Sequence, residues 1–307
     1  MSNEKTEWIK IRKSQINIYR TTPLYYLNEH KKYILYKPAG KSLTDVRLLE
    51  NRYPDLFINH KDKALGIQEL QKTYNKRLKK DIQAGTTEEV KQILVNIVEE
   101  TLTEPRSGTL SGLKDTVDLV VSGYSEKSNI LHTLASLSIS DYTTAIHSVN
   151  VMALTMGYCF HAKMKEDVVK QIGLSALLHD LGKTQIPHDV LNANRRLTKE
   201  EFDIIKAHPI AGYNLLKSEG YRNEIILRGA IEHHEKLDGS GYPHGIKNVS
   251  LTGRIIGIID CYEAITNDDR PYRSALDPLI ALSIIKKDVQ KGKFDLNIFE
   301  KFAYSLL

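Results

Sequence analysis

The sequence predicts a mainly α-helical protein, with an all-α helical bundle in the C-terminal part preceded by a small β-rich N-terminal module and a helical connector. Three observations predict it. From about residue 108 to the end, apolar residues recur at the three- and four-residue spacing of a single helix face. Before residue 63 they alternate over short runs punctuated by Pro23, Pro38-Ala39-Gly40 and Pro54. The composition, 41% hydrophobic and 26% charged, is that of a globular chain and excludes collagen-like, coiled-coil and disordered classes. At 307 residues the chain exceeds the size at which one core usually stops growing. Three segments are therefore expected: the β-rich module over 1–63, the connector over 64–107 and the bundle over 108–307.

Within the first segment, Ile16-Asn17-Ile18-Tyr19 and Tyr33-Ile34-Leu35-Tyr36 read as strands. Residues 64–82 show helical spacing with a basic face of Lys72, Lys76, Arg77, Lys79 and Lys80. Thr86-Thr87-Glu88-Glu89 then opens a second connector helix with a capping-box pattern. Further helices are expected at 113–121, 129–137, 142–160, 166–178, 199–207, 222–233, 254–266, 278–290 and 296–306. No internal repeat, low-complexity tract or phosphate-binding glycine loop is visible.

A formal net charge of +5 could serve nucleic acid or an acidic membrane surface. Residues 1–100, however, hold 19 Lys and Arg against 13 Asp and Glu, and the remainder 24 against 25. The excess is densest at 72–80 and reads as a solvated helix face, so no nucleic-acid partner is expected. The charged start MSNEKTEW and the lack of an apolar run of about 18 residues predict neither a signal peptide nor membrane insertion, hence a cytoplasmic protein. Cys159 and Cys261 lie far apart in apolar company and read as small core residues, with no disulfide framework or thiolate zinc site. Eight of the 11 histidines fall between His147 and His244. That surplus is the informative count.

His179-Asp180-Leu181-Gly182-Lys183 follows an apolar helix and is stopped by Pro187. Adjacent His and Asp at a helix end can reach one metal site, the carboxylate can bridge two ions, and Lys183, one turn on, can face a phosphate. His147 sits in an otherwise apolar helix, His208 precedes Pro209 at the end of another, and His233-His234-Glu235 ends a third before Asp238-Gly239-Ser240-Gly241-Tyr242-Pro243. Asp260 follows Ile255-Ile256-Gly257-Ile258-Ile259, where an unpaired carboxylate would be costly to bury. Five imidazoles and two carboxylates from separate helices suit a dinuclear transition-metal centre inside a bundle. Two cations roughly 3.5 to 4 Å apart would neutralise a phosphodiester, lower the pKa of a bridging water and steady the leaving oxygen. Lys183 would stabilise the non-bridging oxygens. Arg270 and Arg273, planar forks matched to phosphate, would grip a second phosphate.

This set, with Gly241-Tyr242-Pro243 and Arg270-Pro271-Tyr272-Arg273, resembles the HD-GYP subfamily of HD-domain metal-dependent phosphohydrolases over residues 110–307, in family order. The resemblance implies an HD-domain bundle in which 108–307 is the catalytic domain and 1–63 is regulatory. It implies hydrolysis of the second messenger cyclic di-GMP to pGpG, GMP or both, by attack of a metal-bridging hydroxide, at a centre of two or three divalent ions, often iron or manganese. Carried over by position, it places His147, His179, Asp180 and Asp260 on one ion. Asp180 then bridges to a second ion held by His208, His233 and His234. Asp180 and Lys183 would be catalytic, with Lys183, Tyr242, Arg270 and Arg273 on the substrate.

Thr143 stands where three-metal members carry Glu, which implies the two-metal type; Asp141 lies too far round the helix to substitute. Glu263 stands where Asp is commoner, and Asn267-Asp268-Asp269-Arg270 is one residue longer than the usual pattern. Glu235 and Asp238 would either orient metal-bound imidazoles or cap the helix, while His161, His188 and His244 belong to the surface. Expected partners are cyclic di-GMP, signalling proteins and a second copy of the chain through the connector. Two alternatives stand beside this reading: a low-turnover effector that binds cyclic di-GMP and acts through partner proteins, and a phosphohydrolase of another nucleotide.

Overall fold

Alternating apolar residues in the first segment form four antiparallel strands, β1 (Trp8–Lys10), β2 (Leu24–Leu27), β3 (Tyr33–Lys37) and β4 (Leu56–Asn59), in the order β1-β4-β2-β3. The computed structural model of the chain describes residues 7–41, 43, 53–125, 128–137, 143–193, 195–267 and 275–306. Pairing of Ile9 with Ile58 and of Tyr26 with Leu56 sets the register. It turns Leu24, Leu56 and Ile58 into a small core with Ile11, Ile16, Tyr19 and Leu70. On the other face Trp8 stacks on Tyr33 with ring centroids 4.2 Å apart.

The run Ile16 to Tyr19 is not a strand. A 3₁₀ turn at Lys13–Gln15 precedes it, and Ile16 and Tyr19 are both buried. The two apolar residues that matter are three apart, the spacing of a turn, and a two-residue alternation overlooks that.

Helices α1 (Lys63–Ala84) and α2 (Thr87–Thr103) form the connector. Along α1 the basic residues Lys72, Lys76, Arg77, Lys79 and Lys80 are exposed while Ile67, Leu70 and Leu78 are buried, so the charge excess is a solvated face. The capping box expected at Thr86 does not form. Its hydroxyl donates back to the Asp81 carbonyl at the end of α1 instead, beside the amides of Gly85 and Thr86 that the same carbonyl accepts. Val90, Ile93, Leu94, Ile97 and Val98 of α2 belong to the same buried cluster as the residues of the following bundle.

The bundle comprises α3 (Gly112–Tyr124), α4 (Ser128–Ser136), α5 (Thr144–His161), α6 (Glu166–Leu178), α7 (His188–Leu191), α8 (Lys199–Ile205), α9 (His208–Ser218), α10 (Glu224–Glu232), α11 (Leu251–Thr266), α12 (Pro278–Gln290) and α13 (Leu296–Ser305). Helix α5 is apolar all round and buried from Ala145 to Cys159, as a central helix must be. It is wrapped by α2, α4, α6, α11 and α13. Cys159 is buried deeply enough to push its thiol up to about 12, which leaves it an inert core residue. No helix among the described residues is long and apolar enough to cross a membrane.

Glu69 of α1 clamps the β module from below, accepting hydrogen bonds from the backbone amides of Arg20, Thr21 and Thr22 and from the Thr22 hydroxyl. Burial alone would raise its pKa, but these donors win and hold it below the ordinary value. A carboxyl depressed in the folded state stabilises above its unfolded pKa, and that contribution fades as pH falls through the folded value. Glu69→Gln is therefore expected to unfold at lower urea than the wild type at about pH 7, with the gap closing towards about pH 3. Urea titrations at the two pH values check it.

Candidate metal centre

Each candidate ligand sits where a helix begins, ends or runs buried through the core. His147 lies in the first turn of α5, which Thr143 caps by accepting from the amide of Ile146. His179 closes α6, and Asp180 starts a 3₁₀ turn at Leu181–Gln185. His208 opens α9 with Pro209 in its first turn. The expectation that His208 ends a helix is thus corrected: α8 stops at Ile205, and the proline, which lacks only an amide that a helix start leaves unpaired anyway, begins the next helix. His233 and His234 follow α10, and Asp260 lies in α11.

The structure brings all seven together. Around Asp180 Oδ2 stand His147 Nε2 at 3.3 Å, His179 Nε2 at 3.4 Å and the Lys183 ammonium at 2.5 Å. Around Asp180 Oδ1 stand His208 Nε2 at 3.1 Å and His233 Nε2 at 3.8 Å. Asp260 spans both sets, with Oδ1 3.1 Å from His147 Nε2 and Oδ2 3.9 Å from His234 Nδ1. The potential ligand atoms form two groups sharing Asp180: His147, His179 and Asp180, and Asp180, His208, His233 and His234, each within 4.8 Å of one another.

Proton bookkeeping tests whether a cation fits. Nδ1 of His179, His208 and His233 each donates to a backbone carbonyl, that of Ala176 at 2.7 Å, Ile205 at 2.7 Å and Gly229 at 3.0 Å. A carbonyl only accepts, so Nδ1 carries the proton and Nε2 offers a bare lone pair. Burial lowers the pKa of His179 and brings that of His233 well below its ordinary value, and it lowers His234 to about 3, which keeps these rings neutral. His208 and His233 then face each other Nε2 to Nε2 at 3.1 Å, and His147 and His179 at 3.3 Å. Asp180 Oδ1 has no hydrogen-bond donor among the described residues, because the near nitrogen of His208 is the unprotonated one. Burial pushes Asp180 towards protonation, but the Lys183 ammonium opposes it and holds the carboxyl well below the usual carboxylate range. Lone pairs converging on lone pairs and an ionised carboxylate repel unless a cation sits among them. The residues fit a divalent-metal site.

Sequence reasoning gave no role to Glu263, one turn after Asp260. It is 3% exposed, and its carboxylate accepts from His147 Nδ1 at 2.5 Å and from Asn150 at 2.8 Å. This fixes the His147 tautomer so that Nε2 faces the centre. The signal was available: His147 and Asn150, and Asp260 and Glu263, are polar pairs three apart on otherwise apolar helices. Glu235 and Asp238 do other work. Glu235 binds the amides of His244, Gly245 and Ile246, and Asp238 binds the amide and hydroxyl of Ser240, shaping the loop that carries Tyr242. The Tyr242 ring stacks on His234 with centroids 4.6 Å apart. His161, His188 and His244 are exposed. Arg270, Arg273 and Asp141 lie outside the described residues.

A family model described as an HD domain matches residues 128–298. A curated cyclic di-GMP phosphodiesterase of Pseudomonas aeruginosa is 34% identical over 191 residues, covering 62% of this chain and 45% of its own. A 3'3'-cGAMP-specific phosphodiesterase 1 of Vibrio cholerae is 30% identical over 156 residues, covering 50% of this chain and 36% of its own. The chain thus spans less than half the length of these relatives. Among solved structures, an HDG"Y"P protein from Bdellovibrio bacteriovorus matches with TM-score 0.61 and 18% identity, covering 96% of this chain and 98% of that one; that likeness concerns the fold. With the His and Asp set in place and more than half of the chain matched, the protein belongs to the HD-domain family, in its HD-GYP branch.

Proposed function

We propose that this chain is a metal-dependent phosphodiesterase that hydrolyses cyclic di-GMP at a centre of two divalent ions, iron or manganese. The observation that carries the reading is the pair of ligand groups sharing Asp180. When bound, two such ions neutralise phosphate charge and make water a nucleophile near neutral pH. His147, His179, Asp180 and Asp260 would hold one, and Asp180, His208, His233 and His234 the other. Lys183, its ammonium at the rim of the centre on Asp180, would turn to the non-bridging phosphate oxygens. Tyr242 offers a ring edge beside His234 for a base or ribose, and Arg270 and Arg273 would take the second phosphate. In the same reading residues 1–63 regulate, 64–107 connect and 108–307 catalyse, in the reducing compartment that suits free Cys159 and Cys261.

The relative from Vibrio cholerae, named for 3'3'-cGAMP, supports a second reading in which one base is adenine. Metal-replete protein incubated with each cyclic dinucleotide, with products separated by chromatography, decides between them. Turnover of cyclic di-GMP to pGpG or GMP supports the first. Binding without turnover of either supports the effector alternative.

Lys183→Met is expected to retain both ions while kcat falls about 10²- to 10³-fold, the scale of losing one electrostatic stabiliser. Metal analysis beside steady-state kinetics checks it. Loss of metal instead would show that the lysine supports the ligands, not the substrate.

A further inference from the structure

We propose that the cleft where the β module meets the connector helices binds a small uncharged molecule, largely apolar and carrying one hydrogen-bond acceptor. The cleft lies between β1 and the turn that follows it on one side and α1 and α2 on the other, with a volume of about 210 Å³. None of the metal ligands lines it, so the site does not depend on which substrate is cleaved. Only its regulatory consequence rests on the role proposed for residues 1–63.

Four isoleucines supply the apolar wall: Ile9 in β1, Ile11 just after it, Ile58 in β4 and Ile67 in α1. The volume is that of roughly seven waters, each of which would want two or more polar partners that isoleucine cannot offer. An apolar guest is the better match. The volume also falls below the ~300 Å³ at which drug-sized pockets begin, so the guest is no larger than a substituted benzene ring.

The polar lining selects the guest further. Tyr19 is 3% exposed and reaches the cleft. Its hydroxyl points at Gln15 Oε1 from 3.4 Å, longer than an ordinary O–H···O bond, while the other end of that amide donates to Glu100 at 2.5 Å. Burial pushes the Tyr19 phenol up, so it stays a donor, and a carbonyl or ether oxygen on the guest would give it a closer acceptor.

The charges favour a neutral guest. Lys10 pairs with Asp55 at 2.6 Å, and Arg12 with Glu99 at 3.3 Å and Glu100 at 3.7 Å. Lys63 donates to the Thr103 carbonyl at 2.7 Å, at the negative pole of α2. Each charge on the lining already has its counterpart, so a charged guest would shed water without an opposite charge to meet it. A guest here would touch the β module and both connector helices together, and α2 runs on into the buried cluster of the bundle. Occupancy would therefore tie the module to the helix that reaches the catalytic part.

The test is titration of the full chain with para-fluoroacetophenone, a neutral ketone of this size, followed by its fluorine NMR line. Its charged counterparts para-fluorobenzoate and para-fluorobenzylamine are titrated beside it. Saturable binding of the ketone is expected, with both charged probes at least about 10-fold weaker. Tyr19→Phe should weaken the ketone about 2- to 10-fold, the span of one hydrogen bond. Ile9→Trp, which fills the cleft from a half-buried position on β1, should remove binding. No saturable ketone binding, equal or tighter binding of either charged probe, or binding that neither variant changes overturns the proposal. Should Ile9→Trp not fold, Tyr19→Phe, which keeps the ring and its packing, decides alone. Failure to hydrolyse cyclic di-GMP would refute the substrate reading and leave this measurement intact.

Discussion

Asp180→Ala is expected to empty the centre and end turnover, lowering kcat/KM by at least about 10³-fold, equivalent to ~4 kcal/mol of transition-state stabilisation. Asp180 is the one residue common to both ligand groups. Its two oxygens divide the histidines, His208 and His233 about Oδ1 and His147 and His179 about Oδ2. Alanine removes the carboxylate that both ligand groups share, and Asp260, beside His147 and His234, belongs to neither group. Metal analysis after gel filtration should find neither ion at stoichiometric level. A second reading comes from stability: excess manganese should raise the melting temperature of the wild type by mass action and leave Asp180→Ala unmoved. Circular dichroism controls for folding. A folded variant that keeps both ions and full turnover would show that the shared carboxylate is not the bridge.

What the sequence made legible is the polar residue in an apolar setting. His147 in α5 and Asp260 in α11 stand out because they lie on buried helices that are mostly apolar, so a charged or titratable group there demands a partner. Helices with strong periodicity, such as Glu166–Leu178 and Pro278–Gln290, are placed to the residue for the same reason. Three kinds of feature were not legible. Local competition defeated the strand reading of Ile16 to Tyr19 and the capping box at Thr86, because a turn and the end of α1 claimed those groups first. Direction along the chain defeated the reading of His208: a His-Pro pair can close a helix or open one, and only the stop of α8 at Ile205 decides. Through-space relations such as Lys91 with the end of α4 and Glu263 with His147 join residues 44 and 116 positions apart, which no periodicity encodes.

Gly182→Ala is expected to cost the fold about 1–3 kcal/mol or more and, more tellingly, to release one ion before the other. A Cβ at Gly182 would stand 1.9 Å from the carbonyl oxygen of His208 and 2.5 Å from the amide nitrogen of Gly212. Both are backbone atoms of α9, so no rotamer change can relieve the clash and the helix must move. His208 opens that helix, with Nε2 3.1 Å from Asp180 Oδ1, so a shift of α9 large enough to admit a methyl group withdraws the imidazole from its ion. His147 and His179, held by α5 and α6, are not on the displaced element. The expected result is a melting temperature lower by roughly 5–10 °C and a metal content falling towards one ion per chain. Gly257→Ala should behave alike, since its Cβ would meet the His233 carbonyl oxygen at 2.6 Å, and His233 belongs to the same ligand group. Gly173→Ala is the contrast: its Cβ meets the terminal methyl of Met156 at 2.4 Å, the far end of a flexible side chain that can swing aside, and both ions should stay. Differential scanning calorimetry with metal analysis on the three variants reads both effects. Equal behaviour of Gly182→Ala and Gly173→Ala would mean that the approach of α9 to the 181–185 turn does not set the position of His208.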